Sequence, residues 1–262
     1  MAVEDCSTKD REVPSVAGLD LTGLEPVAGQ ILRWEGAYTG SMGDAETKAT
    51  HLNVFEHFQP RVPSLLASPT VLFCANLHPL LQHQVMDQTK PLGVTMLDSM
   101  NLWINIARDE LQTAMERADL VIINDGEARM LTGDDHLPRA MQTLAKTTST
   151  SALIVKRGEH GVLALHDGQW IALPAFPVPS IVDPTGCGDS FAGTLAAHLA
   201  SNGGHLEHGL LRSALESANV TASFTLQGFG TAGLLGITTD AYDERMQSYR
   251  LMVSGTGEPH NS

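Results

Sequence analysis

Positive charge is scarce in this sequence: 16 Lys and Arg stand against 30 Asp and Glu in 262 residues, a formal balance of −14. Such a chain repels polyanions rather than steering them in, so nucleic acid is not expected as a partner. Cysteine is scarcer still. Cys6, Cys74 and Cys187 are odd in number and far apart, without the paired spacings of a zinc site or a disulfide framework. The eleven histidines form no His-x-His or His/Cys cluster of the kind that marks a transition-metal site. No apolar run reaches membrane-spanning length, and the opening MAVEDCSTKDREVPS is polar where a signal peptide is apolar. The expectation is a soluble, cytoplasmic protein with no membrane partner.

What is present is one large core. An apolar content of 42% in a chain of this length suits a single domain, placed at residues 18–253, with 1–17 and 254–262 as polar tails. Strand-length apolar runs occur at Thr70 to Ala75, Leu92 to Leu97, Leu120 to Ile123 and Ala152 to Val155, each stopping at a polar residue. Helical patterns at Leu80 to Gln88 and Leu102 to Arg117 separate them, which is the order of a parallel sheet. Val162 to Leu165 and Gln169 to Leu173 flank Asp167-Gly168, the strongest hairpin signal in the chain. Three further helices are read at Gly188 to Ala200, Leu206 to Phe224 and Asp240 to Met252, and Gly228 to Gly236 is read as a loop. Asn76, Asp98, Asn124 and Lys156 fall just past strand ends, the edge where open parallel sheets bind ligands. Residues of these types also cap helices and make turns, and a strand-end lysine is often merely solvated.

The segment Asp183-Pro-Thr-Gly-Cys-Gly-Asp189 leads from the apolar pair Ile181-Val182 into a helix. Its glycines permit a tight turn, after which the amides of Gly186, Cys187 and Gly188 converge at a helix N-terminus, a place suited to phosphate. Asp189 stands at the edge of that anion hole. Two roles suit it equally: a base that takes the proton of an attacking hydroxyl, or an ordinary first-turn helix acid. Phe191 stands where a dinucleotide fingerprint needs its third glycine, and the Lys-Ser/Thr of a P-loop is missing.

Asp183-Pro-Thr-Gly-Cys-Gly-Asp-Ser-Phe-Ala-Gly193 closely resembles the C-terminal signature of the PfkB carbohydrate kinases, the ribokinase-like group. Asn124-Asp-Gly-Glu127, Val155-Lys-Arg-Gly-Glu-His-Gly161 and Ala218-Asn219-Val-Thr-Ala-Ser-Phe224 resemble further segments of that family. The resemblance implies a three-layer α/β/α sandwich with a mostly parallel central sheet. It also implies transfer of the ATP γ-phosphate to a hydroxyl of a sugar, sugar-like or nucleoside substrate. Asp189 is then the catalytic base, with the amides of Gly186, Cys187 and Gly188 as anion hole. Asn124 and Glu127 govern Mg²⁺ and its waters, although Glu127 also suits an N-terminal helix acid. Lys156, Gly158, Gly161, Thr185 and Asn219 lie along the nucleotide, and Asp98 and Asp183 are substrate candidates. Cys187 replaces a more usual Ala, and a free thiol there implies sensitivity to oxidation.

Family members usually begin with a strand ending near an Asp, then a Gly-Gly and an Asn that grip the sugar, then lid strands. None of these is read here, where the pattern is joined at Gly18-Leu-Asp-Leu-Thr-Gly-Leu-Glu25. The expected sandwich is therefore N-terminally incomplete. The alternative to a kinase is a truncated relative that binds nucleotide and turns over weakly, unless Leu32 to Tyr38 and a homodimer partner rebuild the substrate site.

Overall fold

The computed structural model describes residues 2–3, 18–38 and 45–254. The expected tails 1–17 and 254–262 lie almost wholly outside the described residues. The chain divides into two compact units, Met1–Ser68 with Gln84–Lys90, and Pro69–His83 with Pro91–Ser262.

In the first unit β1 (Ala2–Val3) runs parallel to β2 (Pro26–Val27), and β3 (Arg33–Tyr38) pairs antiparallel with β4 (Ala45–His51). The β3–β4 pair is a correction, because the sequence reading places no strands there. Its sequences lack the period-two alternation that marks a half-buried strand, and backbone pairing holds them instead. The register slips between Glu35 and Gly36, where the Trp34 indole lies so close over Gly36 that a Cβ would stand 2.1 Å from it.

The second unit is built on a six-stranded sheet in the order β10-β9-β8-β7-β6-β5. Strands β5 (Leu72–Cys74), β6 (Thr95–Asp98), β7 (Leu120–Asn124) and β8 (Ala152–Lys156) are parallel. β9 (Val162–His166) and β10 (Gln169–Leu173) complete the sheet as an antiparallel hairpin. Asp167 and Gly168 take φ of 48° and 79°, the left-handed pair that a two-residue hairpin turn demands. The inner strands are buried on both faces, so they read as continuous apolar runs rather than alternating ones.

The parallel strands are joined through α1 (Pro79–Gln88), α2 (Asn101–Ile106), α3 (Arg108–Glu116), α4 (Asp125–Thr132) and α5 (Leu137–Thr148). Two of these depart from expectation. The helix expected over 102–117 breaks at Ala107, whose φ and ψ of −146° and 44° interrupt the ladder. α5 is unexpected; Pro138 and its Thr-rich end obscure a stripe of Leu137, Ala140, Met141 and Leu144 that is buried at helical spacing. After the hairpin come α6 (Cys187–Ser201), α7 (His208–Thr225), α8 (Ala232–Leu235) and α9 (Thr239–Ser254). α8 occupies part of the Gly-rich segment expected to be loop throughout. Phe191, Ala192, Leu195 and Leu199 of α6 and Leu211, Ala214, Leu215 and Ala218 of α7 share one core cluster with Met96, Leu120, Ile122, Ala152 and Ile154 of the sheet. α4 and α5 pack on β7 and β8 as well. Among the described residues no helix is long and apolar enough to cross a membrane.

Candidate active site

Sheet register decides which side chains meet. Paired residues of parallel strands point to the same face, and Asp98 pairs with Ile122 while Asn124 pairs with Lys156. Ile122 and Ile154 belong to the cluster under α6 and α7, so Asp98, Asn124 and Lys156 all project to that face from the C-terminal ends of β6, β7 and β8. The N-terminus of α6 lies on the same face.

That helix starts with Gly186 as N-cap at φ 85° and ψ −1°, a left-handed conformation that strains any residue with a Cβ. Asp183 fixes the approach, its Oδ1 accepting from the Thr185 amide at 2.9 Å. The end of α7 holds the turn from below. Leu226 O accepts from the amides of Val182 (2.8 Å) and Asp183 (3.4 Å), and Thr225 Oγ1 donates to Ser190 Oγ at 2.8 Å. Sequence reasoning missed Ser190, Thr225 and Leu226, whose role depends on tertiary packing. The Cys187 amide donates to Pro184 O at 3.2 Å and closes the turn, whereas the amides of Gly186 and Gly188 have no intramolecular acceptor among the described residues. Asp189 is exposed, and its carboxylate forms no hydrogen bond or ion pair there.

Lys156 reaches over β7 to Asp98, with Nζ 3.0 Å from Oδ2 and 3.4 Å from Oδ1. The same ammonium touches the α6 turn, since a Cβ on Gly188 would stand 3.3 Å from it. Asp98 also accepts from the Ser99 amide at 2.8 Å. Burial raises the Asp98 carboxyl above the usual range, and the facing Lys156 offsets this only in part. Burial alone would lower Lys156, but Asp98, Glu127 and Asp189 outweigh it and hold the ammonium above its ordinary value.

Asn124 and Glu127 form a reciprocal capping box at the start of α4. Asn124 Oδ1 accepts from the Glu127 amide (2.7 Å), and the Glu127 carboxylate accepts from the Asn124 amide and side chain (both 2.9 Å). Asn219 is buried in the α7–α9 contact, where it donates to the Tyr249 hydroxyl at 3.1 Å; that hydroxyl donates to Pro174 O at 2.8 Å. Gly158 and Gly161 enclose a short 3-10 turn after β8, and a Cβ on Gly161 would stand 2.1 Å from Leu173 O. Trp103 is core, with Nε1 donating to Asn76 Oδ1 at 2.8 Å and the His78 ring against its edge. Gln82, unnoticed in the sequence, stitches β5 to β6: its Nε2 faces the carbonyls of Cys74, Ala75 and Asp98.

The Cys187 thiol is unlike the oxidisable group expected. Burial pushes it up to about 12, and Asp183 and Asp189 act the same way, so little thiolate exists near neutrality.

The profile of the pfkB family carbohydrate kinases matches residues 38–236. The chain belongs to that family. Its pfkB relatives include a cytidine kinase of Thermococcus kodakarensis, 39% identical over 92 residues, 34% of this chain and 32% of that one. A fructokinase of Klebsiella pneumoniae is 35% identical over 96 residues, 37% of this chain and 31% of that one. The chain spans about a third of the length of these curated relatives. Among solved structures, the fold matches a Burkholderia thailandensis nucleoside kinase in complex with inosine at a TM-score of 0.72 and 17% identity, over 95% of this chain and 80% of that one. It matches a putative ribokinase II from E.coli in complex with ATP and Mg²⁺ at 0.73 and 18%, over 94% and 81%. The expected ribokinase-like α/β fold is thus present.

Proposed function

We propose that this pfkB family member transfers the γ-phosphoryl group of ATP to a hydroxyl of a sugar, sugar-like or nucleoside acceptor in the cytoplasm. Residues 18–253 act as its kinase domain. One observation carries this reading: Asp189, exposed and without a partner among the described residues, stands beside two amides that likewise lack an acceptor there, at a left-handed glycine turn with a partly buried ammonium against it. Such a site offers an anion cradle next to a base, which phosphoryl transfer requires and dinucleotide binding does not. The names of the relatives support both acceptor classes, and nothing in them favours the inactive alternative.

In this mechanism the acceptor hydroxyl gives its proton to Asp189 as its oxygen attacks the γ-phosphorus. The amides of Gly186 and Gly188 receive the charge gathering on the phosphoryl oxygens; the Cys187 amide chiefly shapes the turn. Among the described residues no group of three or more His, Cys, Asp or Glu side chains could hold a metal alone. Mg²⁺ keeps several of its waters and binds largely to substrate phosphate oxygens. The Glu127 carboxylate and the Asn124 side-chain carbonyl, where β7 passes into α4, would order those waters. When bound, the ion neutralises charge on the nucleotide phosphates. Gly158, Gly161 and Thr185 border the nucleotide in this reading, whereas Asn219 acts through the α7–α9 packing.

The test is ADP release from the purified chain across nucleosides and hexoses, with Asp189→Asn beside it. Turnover should reach about 1 s⁻¹ or more on its proper acceptor. The variant should lose about two orders of magnitude while binding ATP nearly as before. Full activity in the variant would remove Asp189 from the chemistry.

A further inference from the structure

We propose that Lys156 is the cation that stabilises the phosphoryl group in flight, and that Asp98 is a positioning residue that holds Lys156 at the α6 N-terminus and away from Asp189. The inference rests on the kinase reading above and assigns Asp98 a role other than substrate contact.

Three carboxylates, Asp98 from β6, Glu127 from α4 and Asp189 from α6, act on one ammonium. Asp98 has captured it at 3.0 Å, although two strand spacings of roughly 4.8 Å each lie between β8 and β6. The choice follows from preorganisation. The Asp98 side chain is only 7% exposed and its Oδ1 is fixed by the Ser99 amide, whereas Asp189 is solvated. Were the ammonium to swing to Asp189, it would cover the lone pairs that must receive the acceptor's proton and would favour the charged, less basic carboxylate. Asp98 prevents this.

The clamp leaves Lys156 able to act. An ammonium has three N–H donors, and the two contacts to Asp98 occupy at most two of them. The Gly188 distance puts Nζ beside the turn whose amides await an anion. Cation and amides therefore converge on one position, and that position lies on the Asp189 side of the sheet. Among the described residues, the charged and titratable groups around Asp189 are Asp98, Lys156, Cys187 and, through the turn, Asp183. Lys156 is the only positive one among them.

The experiment compares Lys156→Met, Asp98→Asn and the double variant, each first checked for its fold by circular dichroism. The double variant guards against misfolding because it removes both partners of the Lys156–Asp98 pair together rather than stranding one of them. Lys156→Met should lower kcat by about a hundredfold, the scale of one lost transition-state donor. It should also shrink the preference for ATP over ADP while ADP affinity changes little. In Asp98→Asn the acid limb of the kcat/KM profile should move to lower pH, as Lys156 turns to Asp189, and the double variant should restore the wild-type limb. A purely structural ion pair would not move that limb and restore it. Unchanged kcat in Lys156→Met, or an unmoved limb in Asp98→Asn, overturns the proposal. Should the wild-type chain phosphorylate nothing, the kinase reading fails separately. Titration with ATP and ADP then still decides: a preference for ATP lost in Lys156→Met supports the role of Lys156, and a preserved one refutes it.

Discussion

At the scale of the residue, Gly186 and Gly188 are glycines for different reasons. Gly186 needs its left-handed φ of 85°, and a Cβ there would meet only ordinary contacts. Gly186→Ala should therefore cost about 1–2 kcal/mol through the backbone, visible as a lower Tm. Gly188 has ordinary helical backbone, but its Cβ would crowd Lys156 Nζ at 3.3 Å. Gly188→Ala should leave Tm close to wild type and lower turnover; equal losses of Tm in the two variants would contradict this assignment. Cys187 allows a third measurement. With its thiol pushed up to about 12, alkylation should be at least about tenfold slower than that of a free thiol at pH 8 and should rise steadily between pH 9 and 11. A reaction that levels off near pH 9 would show that the thiol is not shielded. The motif that contains these residues was plain in the sequence because its glycines sit at fixed offsets from an acid. The buttress of Thr225 and Leu226 was not, since nothing in a helix's own pattern says which loop its end will touch.

At the scale of the element, the capping box opening α4 separates the structural role of Glu127 from its proposed part in ordering Mg²⁺. Gln can still accept from the Asn124 amide, although its Nε2 would face the Asn124 Nδ2 where a carboxylate oxygen now accepts, so Glu127→Gln should keep most of the stability of the protein while raising the Mg²⁺ requirement. Glu127→Ala should lose both, with a cap cost of about 1 kcal/mol. An unchanged Mg²⁺ dependence in Glu127→Gln would leave Glu127 as a cap alone. The strut between α7 and α9 makes a similar case. Tyr249→Phe removes a hydroxyl that serves both Asn219 and Pro174 O, leaving two groups short of a partner, for a loss of roughly 1–3 kcal/mol. A fall in thermal stability without a matching loss of ATP affinity would place Asn219 in the scaffold. Spacing identified Asn124 and Glu127 as a unit, because residues three apart share a helix face. It could not reveal that Asn219 would spend its amide on a tyrosine thirty residues on.

At the scale of the molecule, the second unit was legible where burial on both faces leaves no polar residue inside a strand, as in Leu120-Val-Ile-Ile123 and Ala152-Leu-Ile-Val155. It was illegible where pairing rather than pattern makes the strand, as in β3 and β4. Asp98 and Lys156 were each read as strand-end polar residues, but their pairing needs the register of three strands, which no single segment carries. The order of the elements has a further consequence for biosynthesis. All six strands of the large sheet have been translated by Leu173, yet α6 and α7, which cover the face formed by Met96, Leu120, Ile122, Ala152 and Ile154, follow only at residues 187–225. During that interval the nascent chain carries an uncovered apolar sheet face, a surface that chaperones hold and that crowded neighbours can trap. The helix that carries the proposed phosphoryl-transfer turn is thus also the first part of the cover to arrive, and the candidate site is assembled in the step that ends this vulnerable period.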